Sequence, residues 1–308
     1  MITAKCPLRI SLVGGSTDLQ SFLDKYDNGS VVSFASNLYT YISINENKNG
    51  KYRINYTKTE NVKDPSKIKN DIAREVILYF DLPPMTMIFN SDIPSTGTGL
   101  AASSSYMVAA IAAALDFLGH DWSQSEICEL AIQLERKFNP LTGYQDAYGC
   151  GIGGLKRFNF NKYGNVSIQF LRSRILDSLS ISLIPTGLKR SSTNILSTID
   201  AEKSLALLND VENLVICQNV EEFCTVINTA WENKKKISES ILNDSISKLD
   251  EKLKSYFEGT YSARKLLGAG GGGYFLVMCN IDDRLSSKQI DGTVPIKIDN
   301  EGVRVYAN

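Results

Sequence analysis

Apolar and polar residues follow two different periods along this chain. Apolar runs rich in β-branched and aromatic residues, bounded by Gly, Asn and Ser, predict strands over residues 8–13, 38–44 and 52–56. The runs LKRFNF, LSISLIP and YFLVMC, together with two short segments near the C terminus, predict further strands later in the chain.

Helical spacing of apolar residues predicts the second type of element. Residues 66–80 carry an apolar residue at every fourth position, which predicts an amphipathic helix capped by Ser66. Ser123 and Glu126 have the spacing of a capping box and predict a helix over residues 123–138.

Two longer apolar stripes, over residues 220–231 and 242–257, predict packed helices in the second half. Strands and helices are mixed without strict alternation, which favours an α+β fold over a doubly wound sheet. A chain of 308 residues is about the size of two ordinary domains, and it contains no Pro- or Ser-rich linker. We place the domain boundary near Phe170, giving domains of residues 1–170 and 171–308.

Composition limits the partners. With 43% hydrophobic and 22% charged residues, the chain can bury a core, and its formal net charge is −1. That charge argues against bulk electrostatic binding to nucleic acid or to an anionic membrane. No run reaches the roughly 18 apolar residues of a membrane span, and MITAKCPLRI lacks the apolar core of a signal peptide. We expect a cytoplasmic protein with no nucleic-acid or membrane partner.

The available residue types also limit the chemistry. The six cysteines lie far apart without a C-x-x-C pair, which is typical of small buried hydrophobes in a reducing compartment. His120 is the single histidine and lies in LGHDW, a predicted connection between helices. Catalytic triads and His-rich metal sites are therefore disfavoured, and we expect carboxylates, hydroxyls, Lys and Arg to carry the chemistry.

The sequence TGTGLAASSS, at residues 96–105, runs into an alanine-rich helix. Its glycines permit unusual backbone conformations, and exposed N–H groups at a helix start can cradle phosphate. A P-loop is excluded because the required lysine is missing. Gly97-x-Gly99-x-x-Ala102 does fit a dinucleotide fingerprint, but the preceding loop NSDIPST and the following second helix disfavour a Rossmann dehydrogenase.

Two other loops are rich in glycine. GAGGGG, at residues 268–273, leads into a strand, and ordering its four consecutive glycines costs on the order of several kcal/mol. Close approach of this backbone to a ligand, or to the loop at residues 96–105, explains that cost better than a plain turn. In LVGGSTDL, at residues 12–19, Asp18 is either the N-cap of the next helix or a functional carboxylate.

Together the three loops resemble the three signatures of the GHMP small-molecule kinases. CPLRISLVGGSTDL is similar to the galactokinase-type motif P-x-R-x-N-x-x-G-E-H-T-D, SDIPSTGTGLAASSS to P-x-x-x-G-L-G-S-S, and KLLGAGGGGYFLVMC to the third motif. The resemblance is closest to D-glycero-D-manno-heptose 7-phosphate kinases, whose P-L-R-I-S-x-x-G-G-G-T-D and G-K-Q-D-Q-Y-A-A-A-x-G-G are similar to residues 7–18 and 143–154. It extends more loosely to fucokinase-type sugar kinases.

The resemblance implies a two-domain GHMP kinase fold, with an N-terminal domain like ribosomal protein S5 domain 2 and a ferredoxin-like C-terminal domain. It implies ATP and Mg²⁺ as cofactors and a small-molecule sugar or sugar phosphate as substrate, in a monomer or homodimer. Phosphoryl transfer needs positioning, charge neutralisation and an oriented nucleophile more than covalent help from the protein.

By the same resemblance, Asp146 is the catalytic aspartate and Arg9 lies near the transferring phosphate, where it favours orientation of the nucleophile over strong basicity of Asp146. Ser103 and Glu135 are implied Mg²⁺ ligands. The residues implied to wrap the ATP phosphates are Thr96, Gly97, Thr98, Gly99, Leu100, Ala101, Ala102, Ser103 and Ser104. Those implied to contact the sugar substrate are Gly14, Gly15, Ser16, Thr17, Asp18, Arg190, Gly270 and Gly271.

The chain departs from the second motif because Ala101 and Ala102 replace a glycine and a serine, which predicts a reshaped phosphate loop and leaves Ser104 as the alternative to Ser103. A phosphorylated sugar also needs a cationic contact. Lys189, Arg190 and Lys265 are the nearest candidates in the second half, each of which is otherwise a solvated surface charge.

The sequence therefore predicts an ATP-dependent kinase acting on a hydroxyl of a sugar or sugar phosphate. The first choice is the anomeric hydroxyl of D-glycero-D-manno-heptose 7-phosphate, and the alternative within the family is a fucose- or hexose-type 1-kinase. A non-catalytic sugar or nucleotide sensor is the competing class. The two alanines favour it, whereas the retention of Asp146, Glu135 and Arg9 argues against it.

Overall fold

The structure, a computed structural model, describes residues 1–94, 97–172, 174–188, 195–258, 260–280, 290 and 292–307. The strands are β1 (Ile2–Val13), β2 (Asn28–Glu46), β3 (Tyr52–Asn55), β4 (Thr59–Val62), β5 (Met85–Ser91), β6 (Leu155–Asn161), β7 (Val166–Phe170), β8 (Leu179–Pro185), β9 (Ser262–Leu266), β10 (Tyr274–Asn280), β11 (Val294–Pro295) and β12 (Arg304–Ala307). The helices are α1 (Gln20–Tyr26), α2 (Asp71–Tyr79), α3 (Ala102–Leu118), α4 (Gln124–Arg136), α5 (Gln145–Gly151), α6 (Arg174–Asp177), α7 (Ala206–Ile216), α8 (Val220–Lys236) and α9 (Asp244–Tyr256).

The larger sheet has the strand order β12-β1-β2-β5-β3-β4, and β6 and β7 extend it from β2. The 19-residue strand β2 makes this branch possible. Its first half pairs with β6 and its second half with β5, while β1 runs antiparallel along both halves. The smaller sheet has the order β11-β8-β10-β9.

Helix α3 packs against β1 and β2 of the larger sheet, and its many alanines allow a close approach. Ser105, near its start, is fully buried and anchors the helix to both strands. The Ser105 hydroxyl lies 2.7 Å from the Thr40 hydroxyl and 3.0 Å from the carbonyl oxygens of Cys6 and Pro7. The loop that precedes α3 is thereby held at one fixed place over the sheet.

The predicted strands and most predicted helices are confirmed, with two adjustments. Strand β2 is much longer than predicted. The helix predicted over residues 66–80 begins only at Asp71, where the side chain of Asn70 accepts the Ala73 N–H at 3.0 Å. The cap predicted at Ser66 is wrong, because residues 65–67 form a separate 3₁₀ turn capped by Asp64. The capping box of Ser123 is confirmed.

The last strand bears on the predicted domain division. Strand β12 pairs with β1 and so belongs to the larger sheet, although it follows all strands of the smaller sheet in the chain. The division at Phe170 stays a prediction.

In the part of the chain that the structure describes, no helix is both long and apolar enough to cross a membrane.

Helix α5 is short and glycine-rich, and a buried lysine from β6 holds its C-terminal end. Lys156 has no exposed surface, and its Nζ donates to the carbonyl oxygens of Gly149 and Gly154 at 3.2 Å and to that of Ile152. Of these carbonyls, that of Gly149 lies in the last turn of α5, where a helix leaves its carbonyl groups without internal partners. Burial lowers the pKa of Lys156 to about 7.

Candidate active site

A cleft of about 450 Å³ lies where the start of α3, the start of α5 and the loop after β1 meet. The end of α4 closes one side of it, and Gly268 and Ala269 of the loop before β10 close another. Three carboxylates, Asp18, Glu135 and Asp146, contribute to its lining.

Arg9 on β1 connects the elements around this cleft. Its Nε and Nη2 donate to Asp146 Oδ1 at 2.9 and 2.7 Å, and its Nη1 donates to the Gly99 carbonyl oxygen at 2.6 Å. The Arg9 side chain is 4% exposed, whereas that of Asp146 is 35% exposed and faces the cleft. A Cβ on Gly149 would lie 3.0 Å from the Arg9 Cβ, so a glycine at that position lets α5 approach β1.

The loop before α3 has left-handed backbone at alternate positions: φ is 72° at Gly97, 78° at Gly99 and 60° at Ala101. Alternation of this kind turns successive N–H groups toward one side and forms an anion-binding concavity. Ala101 adopts this conformation despite its Cβ, at a cost of about 1 kcal/mol. The alanine therefore does not prevent glycine-like backbone here.

Most residues predicted to wrap phosphates line the cleft: Gly97, Thr98, Gly99, Ala101, Ala102, Ser103 and Ser104. Leu100 does not line the cleft. Its side chain is fully buried in the core, and its carbonyl oxygen accepts the backbone N–H of Arg9 at 3.2 Å. Thr96 lies outside the described residues.

The loop at residues 268–273 packs against other backbone, as its glycines predicted. A Cβ on Gly273 would lie 2.4 Å from the Thr98 carbonyl oxygen, so this loop supports the loop before α3. Gly270 and Gly271 do not line the cleft; they pack against Ile241, whose carbonyl oxygen accepts the Gly271 N–H at 2.9 Å. The substrate contact predicted for these two glycines stays a prediction, and the described cleft lining does not include them.

Glu135, near the end of α4, is 2% exposed and faces the start of α3. The Ser104 hydroxyl donates to Glu135 Oε2 at 2.6 Å, and Ser103 also contributes a hydrogen bond that favours the carboxylate. Burial outweighs both and raises the pKa of Glu135 to about 7. Of the two serines, Ser103 is the more exposed to the cleft, and Ser104 is buried beneath it.

The donor set around Glu135 fits Mg²⁺. Carboxylate and hydroxyl oxygens are hard ligands, and protein sites for Mg²⁺ commonly use one or two carboxylates together with substrate phosphates. Within the described residues, no three His, Cys, Asp or Glu side chains form a metal-binding group. A Mg²⁺ ion beside Glu135 would therefore need nucleotide phosphate oxygens as further ligands.

Asp18 is 2% exposed and holds the start of α5. Its Oδ2 accepts the Gln145 N–H at 3.0 Å, and its Oδ1 accepts the Ser16 N–H at 3.2 Å. It is not the cap of the next helix, because α1 begins at Gln20 and its N-cap, Leu19, makes no side-chain capping bond. Sequence alone missed this long-range contact between the first motif and the start of α5.

The neighbours of Asp18 divide into two groups. Gly15 and Ser16 line the cleft, as predicted for sugar contacts. Thr17 and Gly14 do not line it: the Thr17 hydroxyl bonds the Gly14 and Ser30 carbonyl oxygens at 2.8 and 2.9 Å, and a Cβ on Gly14 would lie 2.1 Å from the Ser30 oxygen. These two residues shape the loop from behind.

Among the described residues, none of the lysines and arginines predicted to contact a sugar phosphate lines the cleft. Lys265 is 3% exposed and donates to the Leu12 carbonyl oxygen, away from the cleft lining. Lys189 and Arg190 lie outside the described residues. Lys234 on α8, which sequence analysis did not single out, does line the cleft and donates to the Gly268 carbonyl oxygen.

Comparisons with known proteins identify small-molecule kinases similar to this chain. Residues 67–154 match the model of the GHMP kinases N terminal domain. The chain is 28% identical over 302 residues to the D-glycero-alpha-D-manno-heptose 7-phosphate kinase of Campylobacter jejuni, covering 89% of this chain and 88% of that protein. It is 25% identical over 248 residues to the mevalonate kinase of Saccharolobus solfataricus, covering 72% and 74% of the two chains.

A solved structure shows the same fold over the whole chain. The crystal structure of a D-glycero-D-manno-heptose 1-phosphate kinase from Bacteroides thetaiotaomicron matches with a TM-score of 0.75 and 23% identity, covering 100% of this chain and 99% of that chain. The fold and the cleft thus define an ATP-dependent phosphotransferase that acts on a hydroxyl of a small molecule. Residues 67–154 match the GHMP kinase N terminal domain, and the chain is similar to kinases of this family over most of its length.

The buried carboxyl of Asp18 predicts a pH dependence of stability. Burial raises its pKa from 3.8 to about 6. Between these values the folded chain binds a proton that the unfolded chain does not, so this group lowers the unfolding free energy as pH rises from about 4 to about 6. We therefore expect the unfolding free energy of Asp18→Asn, measured relative to that of wild type, to be higher at pH 7 than at pH 4 by up to about 3 kcal/mol.

Urea unfolding of both proteins without nucleotide, at the two pH values, measures this difference. Asp121→Asn, at an exposed carboxylate, is the control and should parallel wild type at both pH values. An equal gap between Asp18→Asn and wild type at pH 4 and pH 7 would contradict the assignment.

Proposed function

We propose that this kinase transfers the γ-phosphoryl group of ATP to the anomeric hydroxyl of a sugar, with D-glycero-D-manno-heptose 7-phosphate as the best candidate. The observation that carries the proposal is the position of Asp146. It is paired with Arg9, partly exposed, and lies in one cleft with the loop before α3 and with Asp18. The similarity to the Campylobacter jejuni kinase, over 88% of that protein, supports the choice of sugar.

The two sides of the cleft offer different groups, one suited to the ATP phosphates and the other to the sugar acceptor. The loop of Gly97, Gly99 and Ala101, at the N terminus of α3, offers backbone N–H groups and the positive end of a helix dipole to the ATP phosphates. Asp18, Gly15 and Ser16 offer a carboxylate and small residues on the acceptor side. A hydroxyl placed between the two would be in line for attack on the γ-phosphate.

Asp146 accepts or orients the proton of the attacking hydroxyl. Arg9 holds the Asp146 carboxylate in place through two bonds to Oδ1. The other carboxylate oxygen, Oδ2, is then the atom that can meet the substrate hydroxyl. The same guanidinium fixes the Gly99 carbonyl, so the distance from Asp146 to the phosphate loop is set by one side chain.

Mg²⁺ is part of the proposal, with Glu135 and Ser103 or Ser104 as its protein ligands. When bound, the ion would neutralise charge on the phosphate oxygens. The short bond between Ser104 and Glu135 already brings the two oxygen donors together at the start of α3.

Replacement of Asp146 tests the catalytic assignment. We expect Asp146→Asn to lower kcat for the preferred sugar by about 100- to 10,000-fold, because the amide cannot take the proton. ADP release is measured with Mg·ATP and a panel of hexoses, heptoses and their phosphates. Asp121→Asn, an exposed carboxylate outside the cleft lining, should keep wild-type turnover.

The panel also decides the substrate. Selective turnover of heptose 7-phosphate supports the specific proposal, and turnover of fucose or a hexose replaces it with a 1-kinase of that type. Binding of ATP and sugar without ADP release would identify a sensor and contradict the proposed catalysis.

Replacement of Glu135 tests the metal assignment. We expect Glu135→Gln to raise the Mg²⁺ concentration for half-maximal ADP release by at least about tenfold, because a neutral amide is a weaker ligand for this hard cation. Glu129→Gln, at an exposed position on the same helix, is the matched control. An unchanged Mg²⁺ dependence in Glu135→Gln would remove this residue from the metal site.

A further inference from the structure

Buried polar atoms without a partner are concentrated in one short segment. In the described residues, eight side-chain nitrogen and oxygen atoms are buried without a hydrogen bond inside the protein. Four of these eight belong to residues 136–145, between Glu135 and Asp146. The four atoms are Arg136 Nη2, Asn139 Oδ1, Thr142 Oγ1 and Gln145 Oε1. Such atoms are rare in folded proteins and each calls for a physical explanation.

Three of the four residues, Asn139, Thr142 and Gln145, line the cleft. Thr142 is 7% exposed, and its N–H donates to the Asn139 carbonyl oxygen at 3.0 Å in a turn that contains Pro140. From behind, Arg136 Nε donates to the Thr142 carbonyl oxygen at 3.0 Å and its guanidinium lies 4.7 Å from the centre of the Tyr144 ring. The segment is therefore held in place from the side away from the cleft.

This segment is continuous with the acceptor side of the cleft. A Cβ on Gly143 would lie 2.1 Å from Asp18 Oδ2, so the segment packs directly on the Asp18 carboxylate. A Cβ on Gly15 would lie 3.5 Å from Gln145 Nε2 and 3.7 Å from its Oε1, which places that amide beside the first motif. Gln145 also directly precedes Asp146 in α5.

The chemistry of these atoms identifies the ligand groups that would meet them. Amide oxygens only accept hydrogen bonds, a threonine hydroxyl accepts or donates, and the Asp18 carboxylate accepts when ionised. The unsatisfied atoms of Asn139, Thr142 and Gln145 are oxygens that can accept the O–H donors of a polyol. The amides also carry N–H donors, of which Gln145 Nε2 donates to Asp18 Oδ1 at 3.5 Å. Leaving a buried polar atom unsatisfied costs about 1–3 kcal/mol. Because the three oxygens are themselves buried, each side chain would rotate toward the cleft to meet a bound hydroxyl, and that hydrogen bond would recover the cost.

We propose that Asn139, Thr142 and Gln145 form the surface that hydrogen-bonds the hydroxyl groups of the sugar, and that these three residues thereby determine which polyhydroxylated acceptor is phosphorylated. This inference rests on the proposed function, since it assigns the sugar to the cleft.

Thr142 is the residue to replace, because valine keeps its shape and removes only the hydroxyl. We expect Thr142→Val to raise KM for the preferred sugar about 10- to 100-fold and to leave KM for ATP unchanged. Thr142→Ser should restore KM to within a few-fold of wild type. Thr86→Val, on β5 outside the cleft lining, is the matched control and should behave like wild type.

Monodeoxy analogues of the preferred sugar distinguish hydroxyl recognition from a structural effect. One analogue should be a poor substrate for wild type, yet Thr142→Val should use it as well as wild type does. The inference is overturned if Thr142→Val has the wild-type KM for the sugar. It is equally overturned if the variant weakens every analogue by the same factor as the parent sugar, or if only its thermal unfolding changes.

Failure of the proposed function has a different signature in the same assay. If wild type phosphorylates no sugar and uses another alcohol, the proposed function and the inference both fall. If wild type phosphorylates a sugar and Thr142→Val does so with unchanged KM, the inference alone falls.

Discussion

The structure depends on one buried guanidinium. Arg9 is held on β1, and its donors are satisfied by Asp146 on α5 and by the Gly99 carbonyl of the loop before α3. A buried charge is tolerated only when it is paired and hydrogen-bonded, so these partners cannot move apart without leaving it unsatisfied. The pair therefore fixes the position of the carboxylate that we propose is catalytic relative to the loop that we propose receives the phosphates, before either substrate binds.

Close packing of backbone makes this arrangement possible. Gly149 lets α5 approach Arg9, and Gly273 lets the loop at residues 268–273 rest on Thr98. Helix α5 is only seven residues long and is held at both ends by side chains outside it, Asp18 at its start and Lys156 at its end. A short glycine-rich helix has little stability of its own, so these contacts explain how it carries Asp146 in a defined place.

Local patterns in the sequence predicted the features that depend on residues close together in the chain, such as helix caps and the buried faces of helices. The capping box of Ser123 and the apolar stripes of α8 and α9 are examples, and the glycine loops indicated close backbone contacts. Contacts that depend on how separate elements pack were not predictable in this way. Nothing near Asp18 indicates that it bonds Gln145 rather than capping α1, and a lysine within a strand gives no sign that it will be buried under α5. The cap predicted at Ser66 was wrong because Asn70, an equally good capping residue, lies directly before the helix that begins at Asp71.

The most direct test of the central claim is a double-mutant cycle between Arg9 and Asp146. The measurement is kcat/KM for the preferred sugar in wild type, Arg9→Met, Asp146→Asn and the double variant, with unfolding curves for each. If the two residues act as one unit, the double variant loses little more activity than the worse single variant. Losses that multiply, in proteins that remain folded, would show that Arg9 and Asp146 act independently and would contradict this account.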